Sequence, residues 1–450
     1  MAIITPLKTV AEQQLAQQFA NAKAELPGAG AMRKLREDAF AGFEAKGLPH
    51  RRLESWRYTD LRSLLREAMP LAPRRAVRPH AVADRLALQT IGGTRFVLID
   101  GVFSPADSDQ AGLPAGVGAR SLAEALTDAA DEMAAAFVAP EIARDDSALM
   151  LNAAFAGDGV VLEIAPGTEL QQPIVLLSLA TGQSEAAIVS RSLVKVGAGA
   201  KVTVVELHES VGPAPAQINH AIAFDIADGA EVEHVRMVTR QRPETVQVQS
   251  LLAEIGAHAS FASFALAANC GVLRQQSFLR YAGEHSRAAL RGINLLRKQE
   301  HCDVTLVMDH AAAHGESREL FKNIIEGEGT GVFQGKVIVR PHSQKTDGSM
   351  KSNALLLNDG ATMFNKPELE IFADDVVCGH GATVAQMDAE QLFYLMARGL
   401  PRPQAEALVL AAFAGEVAEF VTDEAVREIA MREVEAWLAQ REAAPKGEAA

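Results

Sequence analysis

The chain has 450 residues, more than one ordinary core holds, so it carries two or three structural units or a repeat that extends a single one. Its 43 Lys and Arg against 57 Asp and Glu give a net charge of -14, which repels phosphate backbones and anionic lipid and excludes nucleic-acid binding as a function class. Three cysteines, Cys270, Cys302 and Cys378, are too scattered and odd in number for a disulfide framework, which points to a reducing, cytoplasmic setting.

The opening MAIITPLKTVAEQQLAQQF has no basic start, apolar run and small-residue cleavage site, so neither export nor an organelle leader is expected. Residues 8–46 read as helices broken at Pro27-Gly28-Ala29-Gly30. After Gly47 and Pro49 comes RRLESWRYTDLRSL, whose Trp56 and Tyr58 are expected to anchor a local packing cluster. Phe96 to Ile99 is a short apolar run, and Asp100-Gly101 before Val102 and Phe103 is a two-residue hairpin signal. Ser121 and Glu124 form a capping box for a helix running toward Pro140. Residues 1–155 are therefore expected to form a mixed, mainly helical N-terminal domain.

From about Val160 the period changes to two. Val194, Val196, Ala198, Ala200, Val202 and Val204 alternate, as do Ile222, Phe224, Ile226, Ala230 and Val232. Glycine corners recur at Gly199, Gly229, Gly256 and Gly283, then around Gly331 and Gly360, at intervals of about 27 to 30 residues or less regular multiples. Stacked coils explain both patterns, because inward side chains bury against neighbouring coils and glycine relieves the corners. Residues 156–385 thus read as a β-solenoid core, although corner spacing alone neither fixes its hand nor excludes a sandwich. Within it, His301, Cys302, Asp303, Asp309, His310 and His314 are rich in metal-ligating types, but their strand-like context suits hydrogen-bonding corner rungs better, and His342 beside Pro341 suits a turn. GEGTGVFQGK at 327–336 lacks the Gly-Lys-Ser/Thr of a phosphate loop, so nucleotide hydrolysis is left to a partner, and its glycines suit a tight turn.

Asp388 and Gln391 cap a helix carrying Leu392, Phe393, Leu395 and Met396, stopped by Gly399 and Pro401. Two further helices follow, the last with a stripe of Val426, Ile429, Ala430, Val434 and Trp437. Residues 386–450 are expected to form a C-terminal helical domain whose stripe covers the end of the solenoid. No apolar stretch approaches the roughly 18 residues that span a bilayer.

The most informative segment is ADDVVCGHGATV at 373–384. On an extended strand Cys378 and His380 point to the same side, about 6.5 Å apart, and thiolate with imidazole suits iron or zinc. Two ligands leave an ion half coordinated, so the pair implies a site shared with another chain or completed by sulfide. The competing reading buries Val376, Cys378, His380, Ala382 and Val384 in a core face. A carbohydrate-cleaving solenoid with Asp374 and Asp375 as its carboxylates is the alternative function, but adjacent strand residues face opposite ways.

The long string from Gln344 to Leu400, including KTDG at 345–348, NKPELEI at 365–371 and EQLFYL at 390–395, closely resembles the SufD family of iron-sulfur cluster assembly proteins. The Glu-x-Trp-Arg-Tyr-Thr core at 54–59 and RFVLIDGVFSP at 95–105 extend the likeness over most of the chain. The sister SufB carries a different cysteine and glutamate pattern in its final strands. The resemblance implies a right-handed parallel β-helix and a noncatalytic scaffold that pairs with SufB through the β-helix core. It also implies that the SufC ATPase docks on the C-terminal helices, with one SufB, one SufD and two SufC, and that a homodimer is open to the isolated subunit. It further implies that His380, with Cys378 in a less defined role, meets iron or a nascent iron-sulfur cluster, and it allows a reduced flavin in the assembled complex.

Overall fold

Strands of the central region are apolar on both faces, and the computed structural model shows what each face meets. The structure describes residues 8–75, 79–80, 82, 85 and 91–443. From Val160–Ile164 to Val377–Ala385, strands alternate between two parallel sheets, each pairing in register with the strand two places on. One coil takes 26 to 32 residues, as the ladder Val246, Val272, His301, Thr330, Thr362 counts out. Two strands per coil make a β-solenoid of eight turns. Its interior is filled by the alternating rows legible in the sequence, with Val194, Val196, Ala200, Val202, Val204, Ile222, Phe224 and Ile226 all buried in one cluster.

The first coils are extended by N-terminal strands. Thr94–Ile99 runs parallel to Ile174–Ala180 and turns through Asp100 and Gly101, both at positive φ, into Val102–Phe103, as the hairpin signal requires. Val117–Ser121 adds antiparallel to Val160–Ile164, and Ser121 then caps the helix Leu122–Asp128 by accepting from the amides of Ala123 and Glu124. That helix stops at Ala129 and a second, Ala130–Phe137, follows.

At one corner of the coils a left-handed residue recurs at Gly199, Gly229, His258, His285, His314 and Lys345, with φ between 57° and 70°. A Cβ atom is costly there, yet only the first two are glycine. The backbone N–H groups of His258, His285 and His314 each donate to a carbonyl of the following coil, and the rings stack with centroids 5.0 and 4.4 Å apart. The Gly331 corner is corrected: Gly331 lies within the strand Thr330–Val339, and the turn is made at Gly327, φ 66°.

Helices cover the outward faces of both sheets. Ala143 and Leu149 of the N-terminal region pack on Ala221, Leu252 and Phe278 of the nine-stranded sheet. The helices Arg402–Ala418 and Glu424–Ala443 place Leu410, Val417, Val426, Val434 and Trp437 against Val205, Val235, Phe264 and Ile293 of the ten-stranded sheet. Burying each large side chain there contributes about 1.5–3 kcal/mol. The expectation that this stripe caps the end of the solenoid is therefore wrong. The outward row of the ten-stranded sheet is itself apolar and takes the stripe sideways. Among the described residues no helix is long and apolar enough to cross a membrane.

Candidate functional site

With its helices lying along the side, the solenoid ends on a bare coil. Thr362–Ile371 and Val377–Ala385 are the last strands of their sheets, so each offers one unpaired backbone edge. Apolar side chains stay in the open there: Val377 is 72% exposed and Phe372 60%, and Phe364, Ile371 and Val384 are also exposed.

Cys378 and His380 sit on this final strand, opposite Gly348 and Met350 of Asp347–Leu356. Alternation turns both toward the interior side of the coil, but no further coil closes over them. Cys378 is half-buried against the core cluster, whereas His380, Ala382 and Val384 are exposed. The buried-face reading of this segment is thus overturned. Gly379 and Gly381, which alternate to the opposite face, also meet open space, so this strand is uncovered on both sides. A Cβ on Gly348 would lie 3.6 Å from the Cys378 sulfur, an ordinary contact distance, so the thiol rests directly over this glycine. Burial raises the Cys378 thiol above its usual range, opposed by a backbone hydrogen bond at Gly348 and reinforced by Asp347 and Glu319. Two soft-to-borderline donors side by side on an open end can take two positions of a metal ion and leave the others to an incoming chain or sulfide.

The N-terminal signature reaches the same end of the molecule by a structural route. Trp56 is buried, donates Nε1–H to Asp146 Oδ2 at 3.1 Å and lies under the Arg274 guanidinium. Tyr58 stacks on Phe364 of the last coil at 4.8 Å. Thr59 donates to Asp303 and meets His301 Nε2 at 2.9 Å, while Arg274 binds Asp303 at 2.6 Å. His301 and Asp303 are therefore spent on holding the N-terminal segment. Asp309 pairs with Arg340, His310 stacks on Tyr281 at 4.1 Å, and His314 joins the corner ladder, so the structure disperses this histidine-rich stretch. His342 is an exposed turn residue bonded to the Ala311 carbonyl.

Sequence reading missed a second polar constellation inside the solenoid. Ligand atoms of Glu206, His208 and His220 lie within 4.8 Å of one another, the one such trio among the described residues. Glu206 Oε1 meets His220 Nε2 at 2.8 Å and His208 Nε2 at 3.6 Å; Oε2 meets His234 Nε2 at 2.8 Å and Arg236 at 2.7 Å. Burial opposes ionisation of Glu206, but Arg236 and the histidines outweigh it and hold the carboxyl well below its usual range. Burial pulls His208 down to about 4, so it is neutral at pH 7. A carboxylate with imidazoles suits a divalent ion by donor type. Arg236 already neutralises that carboxylate, so a dication would leave uncompensated positive charge in an apolar interior. Glu206 and His208 stand two apart on Lys201–Ser210, a same-face spacing that the sequence does show, as do His234 and Arg236 on Glu231–Thr239, but only the folding of the coils brings these pairs and His220 together.

The C-terminal helices keep an unpartnered apolar face as well. Asp388 caps Ala389–Ala397 as expected, and on that helix Phe393 is 74% exposed, with Tyr394 and Met396 also in the open.

Comparison with known proteins agrees with this architecture along nearly its whole length. Residues 9–176 match the family model for the SufBD protein N-terminal region, and residues 179–413 match that for the SUF system FeS cluster assembly SufBD core domain. The chain is 30% identical to the iron-sulfur cluster assembly protein SufD of Escherichia coli K12, over 85% of this chain and 87% of that protein. It is 28% identical to an iron-sulfur cluster assembly SufBD family protein of Synechocystis, over 82% and 83% of the two chains. With the chloroplastic protein ABCI7 of Arabidopsis thaliana it shares 26% identity over 94% and 90%.

Proposed function

This chain belongs to the SufBD family of the SUF iron-sulfur cluster assembly system, and we propose that it is the SufD-type scaffold subunit, presenting His380 and Cys378 to iron or a nascent cluster at a joint with SufB. The observation that carries this reading is the uncapped last coil, where two metal-ligating side chains stand among exposed apolar residues. Exposed apolar surface beside unpaired strand edges favours burial by another chain. Iron and the cluster are cargo here, held transiently by ligands from both partners.

The SufC ATPase is assigned to the exposed face of Phe393, Tyr394 and Met396, supported by their uncovered apolar area. ATP hydrolysis then belongs to SufC, and this subunit contributes shape and ligands without turnover of its own, in a cytoplasmic complex of one SufB, one SufD and two SufC. In isolation the same open coil can pair two copies of this chain. No residue here is assigned to a flavin. Asp374 and Asp375 are left out of any glycosidic chemistry: both are exposed at a corner and Asp375 pairs with Lys345.

The test is His380→Ala in the assembled complex, with cluster formation followed anaerobically by absorbance. Cluster yield falls by about tenfold, as removal of a tuned metal-site group commonly produces, while the complex elutes intact. Unchanged yield from an intact complex removes His380 from the mechanism.

A further inference from the structure

A cavity of about 590 Å³ lies in the N-terminal region, walled by Leu35 of Gly30–Lys46, Ala134 of Ala130–Phe137, Met150 of Ser147–Phe155 and Leu252 of the nine-stranded sheet. Its one buried charge is Arg191, carried by the strand Ala186–Val196 and only 2% exposed. The guanidinium stands 4.3 Å from the Phe137 ring centroid and donates once, through Nη2 to the Ala136 carbonyl at 3.3 Å. Its Nε is buried without a partner, and no ion pair neutralises the side chain among the described residues. Arg36 lies 5.8 Å from the same ring centroid, equally buried and bonded, among the described residues, to the carbonyls of Ala153, Ala154 and Pro27.

Arginines taken out of water are normally paired with a carboxylate or phosphate, because an uncompensated buried charge is costly. Burial draws Arg191 down to about 10, which still leaves it charged at neutral pH. Among the described residues nothing supplies the counter-charge, which leaves a place for an anionic ligand. A guanidinium fork matches a carboxylate bidentately, and the apolar walls take up a hydrocarbon body. Of the other charges in the lining, Asp38 is paired with Lys34 at 2.8 Å, and Asp131 and Asp146 outnumber Arg144, so the walls add no net positive charge beyond Arg191 and favour a singly charged ligand.

We propose that this cavity is a binding site for a small monocarboxylate with an apolar tail, its carboxylate on Arg191. The site is separate from the last coil, and the proposal does not depend on the scaffold reading.

The experiment is calorimetric titration of the full chain with octanoate, beside octanol and inorganic phosphate as controls for the tail and the charge alone. Octanoate is expected to saturate one site per chain and raise the melting temperature, with octanol and phosphate binding at least about tenfold more weakly. Arg191→Gln should weaken octanoate by a similar factor. Ala135→Trp, an exposed rim position that leaves the guanidinium in place, should block entry without changing the melting temperature of the free protein. Absent saturation with the wild type, equal binding of octanol, or full binding by the Ala135→Trp variant overturns the proposal; these three readings decide it even where Arg191→Gln does not fold.

Discussion

Arg274 lays its guanidinium over the Trp56 indole, 3.8 Å from the ring centre, and from that position reaches Asp303 at 2.6 Å and the Ser55 carbonyl at 2.9 Å. One side chain of the solenoid thus grips the N-terminal signature by stacking and a backbone bond together, while Asp303 of the neighbouring coil balances its charge. Trp56→Ala removes a buried ring, a desolvated cation–π contact and the indole N–H that Asp146 accepts. A loss of about 3–5 kcal/mol is expected from the cavity and the stacking together. Urea unfolding of the variant measures it, and a shift below about 1 kcal/mol means that this contact does not hold the two regions together.

Stability should pass through a maximum in pH because buried groups titrate in opposite senses. Burial raises Glu319, which lies beneath Met350 in the ladder, to about 8 from 4.5. Between those values the native state keeps a proton that the unfolded chain has lost, so the stability Glu319 contributes is complete below 4.5 and disappears as pH rises through about 8. His208 and His310 are each pulled by burial from 6.5 to about 4, so their contribution is complete above 6.5 and is lost as pH falls toward 4. Glu319→Gln keeps a neutral side chain of the same shape. Its melting temperature should exceed the wild type at pH 8.5 and converge with it by about pH 5, whereas parallel calorimetric curves contradict the assignment.

Much of the fold is legible in the sequence because its interior rows are periodic. Val194 to Val204 alternate as a strand must, and Gly199 and Gly229 mark corners that need a left-handed residue. His258, His285 and His314 occupy the same corner invisibly, since what makes those conformations tolerable is stacking between coils almost thirty residues apart. The Glu206 cluster is legible only in part: Glu206 and His208 are two apart on one strand, as are His234 and Arg236, but no spacing shows that the coil brings His220 and His234 to the same carboxylate. The stripe of Val426, Val434 and Trp437 announces an amphipathic helix but not the surface it seeks, which is set by outward residues such as Val235 and Phe264. Cys378 and His380 stand out by spacing, while their exposure follows from the stacking stopping at their own coil, which no local pattern encodes.

The three thiols should separate cleanly in reactivity. Cys270 and Cys302 are fully buried, burial raises both thiols, and Cys302 also donates to Asn294 at 3.3 Å. Cys378 is half-buried at the open end, with a smaller rise from the same cause. Iodoacetamide on the native chain is therefore expected to modify one thiol, Cys378, slowly at pH 7 and faster at pH 9 as thiolate forms. Peptide mass spectrometry reads the site, and Cys378→Ser should remain unlabelled until denaturant is added. Labelling of Cys302 in the folded chain contradicts the packing described for the interior.

Val377 separates the two duties assigned to the last coil, because it contributes surface but no ligand. It is 72% exposed on an edge strand next to Cys378. A lysine there leaves the folded chain within about 0.5 kcal/mol of wild type, since nothing in this subunit packs on it. In a joint that buries the open coil, the same lysine places an unpaired ammonium in a desolvated contact, and strand edges bearing lysine resist pairing. Val377→Lys is accordingly expected to keep its melting temperature and lose co-elution with SufB by about tenfold or more in affinity. His380→Ala should do the reverse, keeping the complex and losing the cluster. If both variants fail in the same assay, the ligand and the docking surface are one function; if Val377→Lys assembles normally, the joint lies on another face of the molecule.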